Sequence, residues 1–359
     1  MHRLVQTFGL GCAMLAANGF AQGQTVNLNY KVAGVDRQTI LYAPSGLGAN
    51  PPLIYVIHGF NMTGQQEVQL TQMNKVADTA KFIVVYPNAL KNSSNEPSWD
   101  LAGANDYAYI MSLIDTVDGR YHIDRKRVYV SGFSQGGFFS FNLGCRYSDV
   151  IAAIAPVSGT LNGACTLKRP VPMKFTFGTN EGFDVSTFVK SGEKWVQLNG
   201  CSPTPKVIRP YPAGNPNSVV TRLEYTGCTA GADVVIDTVK GGPHEWPMNT
   251  QTKINNSVEV WNFFKRFSLS SGSPVRPIDG AAAERALSAA YANGMLSLRG
   301  MDVPVSLRIL DTRGRLVSAG IATQGRFAFA GHSSGVYQAL AEAGGKAFRF
   351  RFVVPFVVP

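Results

Sequence analysis

The stretch VYVSGFSQGGFFS, residues 128–140, places a serine between glycines directly behind a run of β-formers. Gly132, Ser134 and Gly136 spell G-x-S-x-G. Read as chemistry, this is a strand-to-helix turn so sharp that the residues two before and two after the serine must be small. Such a turn holds the hydroxyl exposed at the top of a sheet. Read as plain structure, it is a Gly/Ser turn, and the same letters serve. The rest of the chain separates the two readings by supplying, or failing to supply, a base, an acid and oxyanion donors in a workable order.

Upstream, TVNLNYKV alternates Val26, Leu28, Tyr30 and Val32, then turns through GVD into RQTILYAP, the pattern of an antiparallel hairpin. The pattern then changes. PLIYVI (52–57), KFIVVYP (81–87), KRVYVSG (126–132), AAIAPVSG (152–159) and PMKFTFGT (172–179) are continuous apolar runs, as expected of strands buried on both faces. NDYAYIMSLIDTVDGRY (105–121) between them has a helical pattern, with Asn105 or Asp106 placed to cap its start. VVIDTVKG adds a last strand and SVEVWNFFKRFS (257–268) a closing amphipathic helix. Strands alternating with helices after a hairpin predict an α/β sandwich with a mostly parallel sheet.

A serine hydroxyl needs a neighbouring base to take its proton. Beyond the N-terminal segment the chain has four histidines, His58, His122, His244 and His332. In folds built round such a turn the base follows the nucleophile and the acid in chain order. That leaves His244, in KGGPHEWPM behind the last strand, and His332, far downstream. His244 is the candidate base, on a Gly/Pro-rich loop at the edge where functional side chains collect. His58 ends a buried strand and opens a polar loop. We expect it to be structural, with the backbone N–H groups of Phe60 and Gln135 as the oxyanion donors. His122, between a helix and a strand, has no chemical role in this reading. The acid belongs on the loop GTNEGFDVS, where Glu181 and Asp184 are both available.

Composition sets the frame. The 359 residues are 45% hydrophobic and 16% charged, enough for one large domain and one small one. His2 and Arg3, the apolar run from Leu4 to Ala17, and Gly19-Phe20-Ala21 read as a signal peptide over residues 1–21. No later stretch is long and apolar enough for a transmembrane helix. Without Cys12, four cysteines remain, Cys145, Cys165, Cys201 and Cys228, an even number that favours two disulfides in an exported chain. Three pairings are possible, and sequential neighbours close the shortest loops. No CxxC or His/Cys spacing points to a metal, and no cofactor is implied.

Residues 22–270 hold 22 Lys/Arg against 18 Asp/Glu, and residues 281–359 hold nine against four. The arginines of that basic tail are scattered among apolar residues, which argues against nucleic acid as a partner. SLSSGSPVRPIDGAAA (268–283) is a linker between a catalytic domain, 22–267, and a module over 284–359. The module's short runs, punctuated by Gly, Asp-Thr-Arg-Gly and Ser-Ser-Gly turns, predict a small β-sandwich without chemistry.

Taken together, these residues resemble the secreted α/β-hydrolases of carbohydrate esterase family 1 and the polyhydroxybutyrate depolymerase-like esterases, feruloyl and acetylxylan esterases among them. The carriers are IYVIHGF, VVYPNA at 84–89, Trp99 before NDYAYIMSLID, YHIDRKRVYVSGFSQGG, IAAIAPVSG, FGTNEG, LNGC and GGPHEWP before VWNFF. The resemblance covers about residues 25–267. It implies an α/β-hydrolase sandwich with Ser134 as nucleophile, His244 as base and Glu181 as acid, at a position where the family usually has aspartate. It also implies the pairings Cys145–Cys165 and Cys201–Cys228. The substrate it implies is ester-decorated polysaccharide. The C-terminal module, through VSLRILDTRGRLV and SSGVYQAL, resembles sorting or attachment domains, with secretion machinery or the cell surface as its implied contact.

Overall fold

The computed structural model describes residues 23–269, 288–292, 295–299, 305–311, 315–322, 326–329, 335–343 and 346–354. The expected signal segment, nearly all of the expected linker, and His332 lie outside them. The chain divides into two compact units, Met1–Ser273 and Pro274–Pro359.

The first unit opens with β1 (Gln24–Val32), β2 (Val35–Ala43) and β3 (Leu53–Ile57), then α1 (Gly64–Thr71), α2 (Met73–Ala80) and β4 (Ile83–Pro87). It continues through α3 (Asn105–Tyr121), β5 (Val128–Phe133), α4 (Gln135–Arg146), β6 (Ala153–Val157) and β7 (Met173–Gly178). Last come α5 (Val185–Leu198), β8 (Lys206–Ile208), β9 (Val220–Tyr225), β10 (Val234–Val239) and α6 (Asn256–Phe264). All ten strands form one sheet in the order β1-β2-β4-β3-β5-β6-β7-β10-β9-β8. The six strands from β4 to β10 are parallel, and antiparallel pairs close both edges.

Burial explains the continuous apolar runs. Every residue of β3, β4, β5, β6 and β7 is buried, because helices cover both faces of the sheet. Leu53, Tyr55 and Ile57 pack with Tyr107 and Leu113 of α3 and Phe139 of α4. Ile54 and Val56, one residue out of step, pack with Met73 and Ala77 of α2 and Phe263 and Phe264 of α6. The chain leaves β3 for β4 on one side and returns to β5 on the other. The strand order therefore reverses between β3 and β5, and the crevice beyond their carboxyl ends is where ligands of open α/β sheets bind.

Three local features depart from the sequence reading. The antiparallel strands β8 and β9 were not anticipated. α3 spans the expected residues, but its N-cap is Ala104 and makes no side-chain bond. Asp106 turns inward instead, accepts the Asp100 N–H at 2.7 Å and pairs with buried Arg37 at 2.7 Å. Finally, the apolar run of β7 hides Lys174, fully buried and paired with Asp237 of β10 at 2.9 Å. Arg222 of β9 grips both oxygens of Asp237 at 2.7 Å and reaches Glu259 of α6, binding the far edge of the sheet to its covering helix.

Disulfides join Cys145 to Cys165 and Cys201 to Cys228. The first ties the end of α4 to the loop after β6, and the second ties the chain after α5 to the chain after β9.

In the second unit, β11 (Ser288–Ala292), β12 (Met295–Arg299) and β15 (Arg326–Ala328) form one antiparallel sheet. β13 (Val305–Leu310), β14 (Leu316–Ala322), β16 (Gly335–Ala343) and β17 (Lys346–Val354) form another. Leu296 and Leu298 of the first share a core with Leu307, Ile309, Ala339 and Ala341 of the second.

Candidate active site

Ser134 lies where β5 passes into α4, half-buried, with φ 55° and ψ −118°. A non-glycine residue there is strained by about 1–3 kcal/mol, a cost the surroundings must hold in place. They do so through the backbone. The Ser134 N–H donates to Val157 O at 2.9 Å, and its carbonyl accepts from Gly137 N–H at 2.8 Å. The flanking glycines are obligatory, since a Cβ on Gly132 would lie 2.5 Å from Gly136 O and one on Gly136 would overlap Ile57 O.

The loops after β7 and β10 carry Glu181 and His244, and they are zipped together. Thr179 N–H donates to Val239 O (2.9 Å), Asn180 N–H to Gly242 O (2.9 Å) and Gly241 N–H to Thr179 Oγ1 (2.8 Å). A Cβ on Gly178 would overlap Gly242 O. Across this seam His244 Nδ1–H donates to Glu181 Oε2 at 2.5 Å. The other oxygen, Oε1, accepts Gly178 N–H at 2.6 Å and the Ser158 hydroxyl at 2.7 Å. Glu181 is 3% exposed, and these three donors satisfy its two buried oxygens.

Asp184 stands elsewhere. It is exposed and caps α5, accepting from the backbone and hydroxyl of Ser186 at 2.9 and 2.8 Å. Those bonds hold its carboxyl below the ordinary carboxylate value. The structure thus brings His244 to Glu181 and leaves Asp184 on the surface.

The His244 ring packs on Phe133 at 4.8 Å between centroids, beside Ser134 in sequence, with Phe183 edge-on at 5.3 Å on the outside. Among the described residues no hydrogen bond joins Ser134 Oγ to His244, a separation common in unliganded sites that closes on substrate.

Facing Ser134 is the loop after β3. Gly59 brings it so near that an added Cβ would lie 3.2 Å from Ser134 Cβ. His58 is fully buried, and burial pushes its pKa down to about 4. It is neutral, donates from Nδ1 to Gly59 O (2.7 Å) and accepts Ala89 N–H at Nε2 (3.0 Å). Among the described residues neither Phe60 N–H nor Gln135 N–H has a hydrogen-bond partner. The two expected oxyanion donors are therefore available, on either side of the crevice.

The fold and geometry invite comparison with known proteins. A family model for "Esterase PHB depolymerase" matches residues 37–168, a stretch holding Ser134 and the Phe60 loop. A bifunctional acetylxylan esterase/xylanase of Neocallimastix patriciarum is 37% identical over 159 residues, covering 44% of this chain and 23% of that one. Feruloyl esterase D of Neurospora crassa is 30% identical over 264 residues, 68% of this chain and 87% of the relative. The chain belongs to the PHB depolymerase esterase family. The solved acetyl xylan esterase of Aspergillus awamori, at 14% identity, superposes with a TM-score of 0.54 over 68% of this esterase and 99% of that chain. The fold they share is the α/β-hydrolase sandwich.

Three side chains of this esterase site escaped the sequence reading. Ser158, at the end of β6, supports Glu181 from a third strand. The Gln135 side chain accepts Trp99 N–H (3.0 Å) and donates to Ser98 Oγ (2.9 Å), while Trp99 Nε1–H holds His58 O (2.9 Å). These bonds tie the two candidate oxyanion amides to one loop. Trp99 preceding NDYAY is the only local signal for it.

Proposed function

We propose that this esterase is exported and removes feruloyl or acetyl groups from ester-decorated plant cell-wall polysaccharide, through an acyl-enzyme on Ser134. The observation that carries the reading is the buried Glu181 on His244 Nδ1, beside a serine held on a strained elbow. Ser134 Oγ attacks the ester carbonyl carbon while its proton passes to His244 Nε2. The oxyanion rests on Phe60 N–H and Gln135 N–H. The tetrahedral centre collapses, the C–O bond to the sugar breaks, and His244 returns the proton to the leaving alkoxide. Water then attacks the acyl-enzyme, giving one proton to His244, and Ser134 recovers it as the carboxylic acid departs. Glu181 holds the tautomer and the imidazolium charge throughout.

The feruloyl and acetylxylan esterase relatives support the substrate class, and the two disulfides support an oxidising destination. In this reading Pro274–Pro359 is a sorting or attachment module. A second reading, a polyester depolymerase with the same mechanism, is favoured by the family model's own description. Turnover on feruloylated arabinoxylan, acetylxylan and polyhydroxybutyrate films, measured side by side, separates the two. A third possibility, a binding protein on a hydrolase scaffold, predicts no labelling by a fluorophosphonate probe. Ser134→Ala is expected to abolish that labelling, cut turnover on the order of a million-fold and leave the circular dichroism unchanged. Retained activity would remove Ser134 from the mechanism.

A further inference from the structure

Among the described residues two aromatic rings are largely exposed, Phe183 at 64% and Phe60 at 47%, and both stand on loops around Ser134. Phe60 contributes its backbone to the proposed oxyanion site. Phe183 has no such duty, and nothing in the catalytic sequence uses it.

Its placement is specific. Gly182, with φ +74° and open space about its Cα, reverses the chain so that Glu181 points inward and Phe183 outward. The only ring packed on Phe183 among the described residues is His244, met edge-on at 5.3 Å and 70°. His244 hands its proton to the leaving oxygen, so the alcohol part of the ester must lie against this side of the crevice during turnover. An exposed ring touching the proton donor borders the alcohol, whereas the carbonyl oxygen lies toward the oxyanion amides.

We propose that Phe183 is a specificity-determining platform on which the sugar ring of the leaving alcohol stacks. A sugar ring carries hydroxyls round its rim and C–H groups on its faces. Those C–H groups bear partial positive charge and complement the negative face of a phenyl ring. The contact covers a side chain that otherwise stays in water. This rests on the polysaccharide-esterase reading and adds to it the residue that distinguishes a sugar alcohol from a simple one.

The test compares two esters with the same acyl group, methyl ferulate and a feruloylated arabinoxylan oligosaccharide, on wild type, Phe183→Ala and Phe183→Trp. Phe183→Ala is expected to lower kcat/KM on the oligosaccharide about tenfold, mainly through KM, and to stay within about twofold on methyl ferulate. Phe183→Trp should restore the oligosaccharide value. Equal losses on both esters would overturn the proposal by making Phe183 an acyl contact or a support for His244. No loss on either would overturn it by removing the contact. A wild type that cleaves methyl ferulate but not the oligosaccharide would refute the polysaccharide reading, and this proposal with it. If wild type cleaves neither, the same comparison is made with a simple acetate ester and an acetylated xylo-oligosaccharide, where an equal or absent Phe183→Ala effect would overturn the proposal and cleavage of neither would refute both readings.

Discussion

Glu181 and Asp184 stand three residues apart on one loop and share a functional group, yet they live in different solvents. Glu181 is sealed from water with three donors on its two oxygens, one of them the imidazole. Asp184 is in water and closes the first turn of α5. His244 and His58 repeat the contrast. One keeps an edge exposed toward the crevice, and the other is buried and neutral, holding a loop. In each pair the group's surroundings set its task, more than its chemical type does.

The contrast breaks most sharply at the acid. Glu181→Gln keeps the shape and removes the charge, and a neutral amide cannot stabilise the imidazolium. Turnover is expected to fall roughly 10⁴-fold. Steady-state kinetics on a soluble ester checks it, and a loss below tenfold would detach Glu181 from the mechanism.

His58 sharpens the comparison through pH. Its folded pKa of about 4 lies below its ordinary 6.5. The stability it contributes is therefore complete above pH 6.5 and is lost as pH falls from there to about 4, the range in which the unfolded chain binds a proton the folded chain refuses. The full effect is about 3 kcal/mol. Urea titrations between pH 7 and pH 4 should show a shallower loss for His58→Asn than for wild type. Parallel losses would place the acid sensitivity elsewhere.

Asp184→Asn has the smallest expected effect. Asparagine is as good an N-cap, so both the melting temperature and kcat should stay close to wild type. A large fall in kcat would reverse the assignment of the two carboxylates.

The central strands were legible because burial on both faces writes itself as an unbroken apolar run, and the G-x-S-x-G turn because its glycines answer to nearby backbone. β8 and β9 were not. β8 is three residues long and mostly exposed, and the Pro/Asn-rich chain at 209–218 masks the approach to β9. The misplaced cap on α3 has a similar cause, since Asp106 answers to Arg37, a tertiary partner that local pattern cannot show. The resemblance pointed to Glu181, but the residues alone left Asp184 open, because the choice rests on a backbone angle at Gly182 and on Ser158 arriving from another strand. Neither fact resides in the letters GTNEGFD.

The seam between the loops of Glu181 and His244 has a mechanical consequence. Two backbone hydrogen bonds, a third from Gly241 N–H to the Thr179 hydroxyl and the close approach at Gly178 join those loops, so Glu181 and His244 stand as one block. The bond inside that block is already short, at 2.5 Å, whereas among the described residues no hydrogen bond joins the block to Ser134. In the proposed mechanism the gap between serine and imidazole is therefore what a bound substrate has still to close.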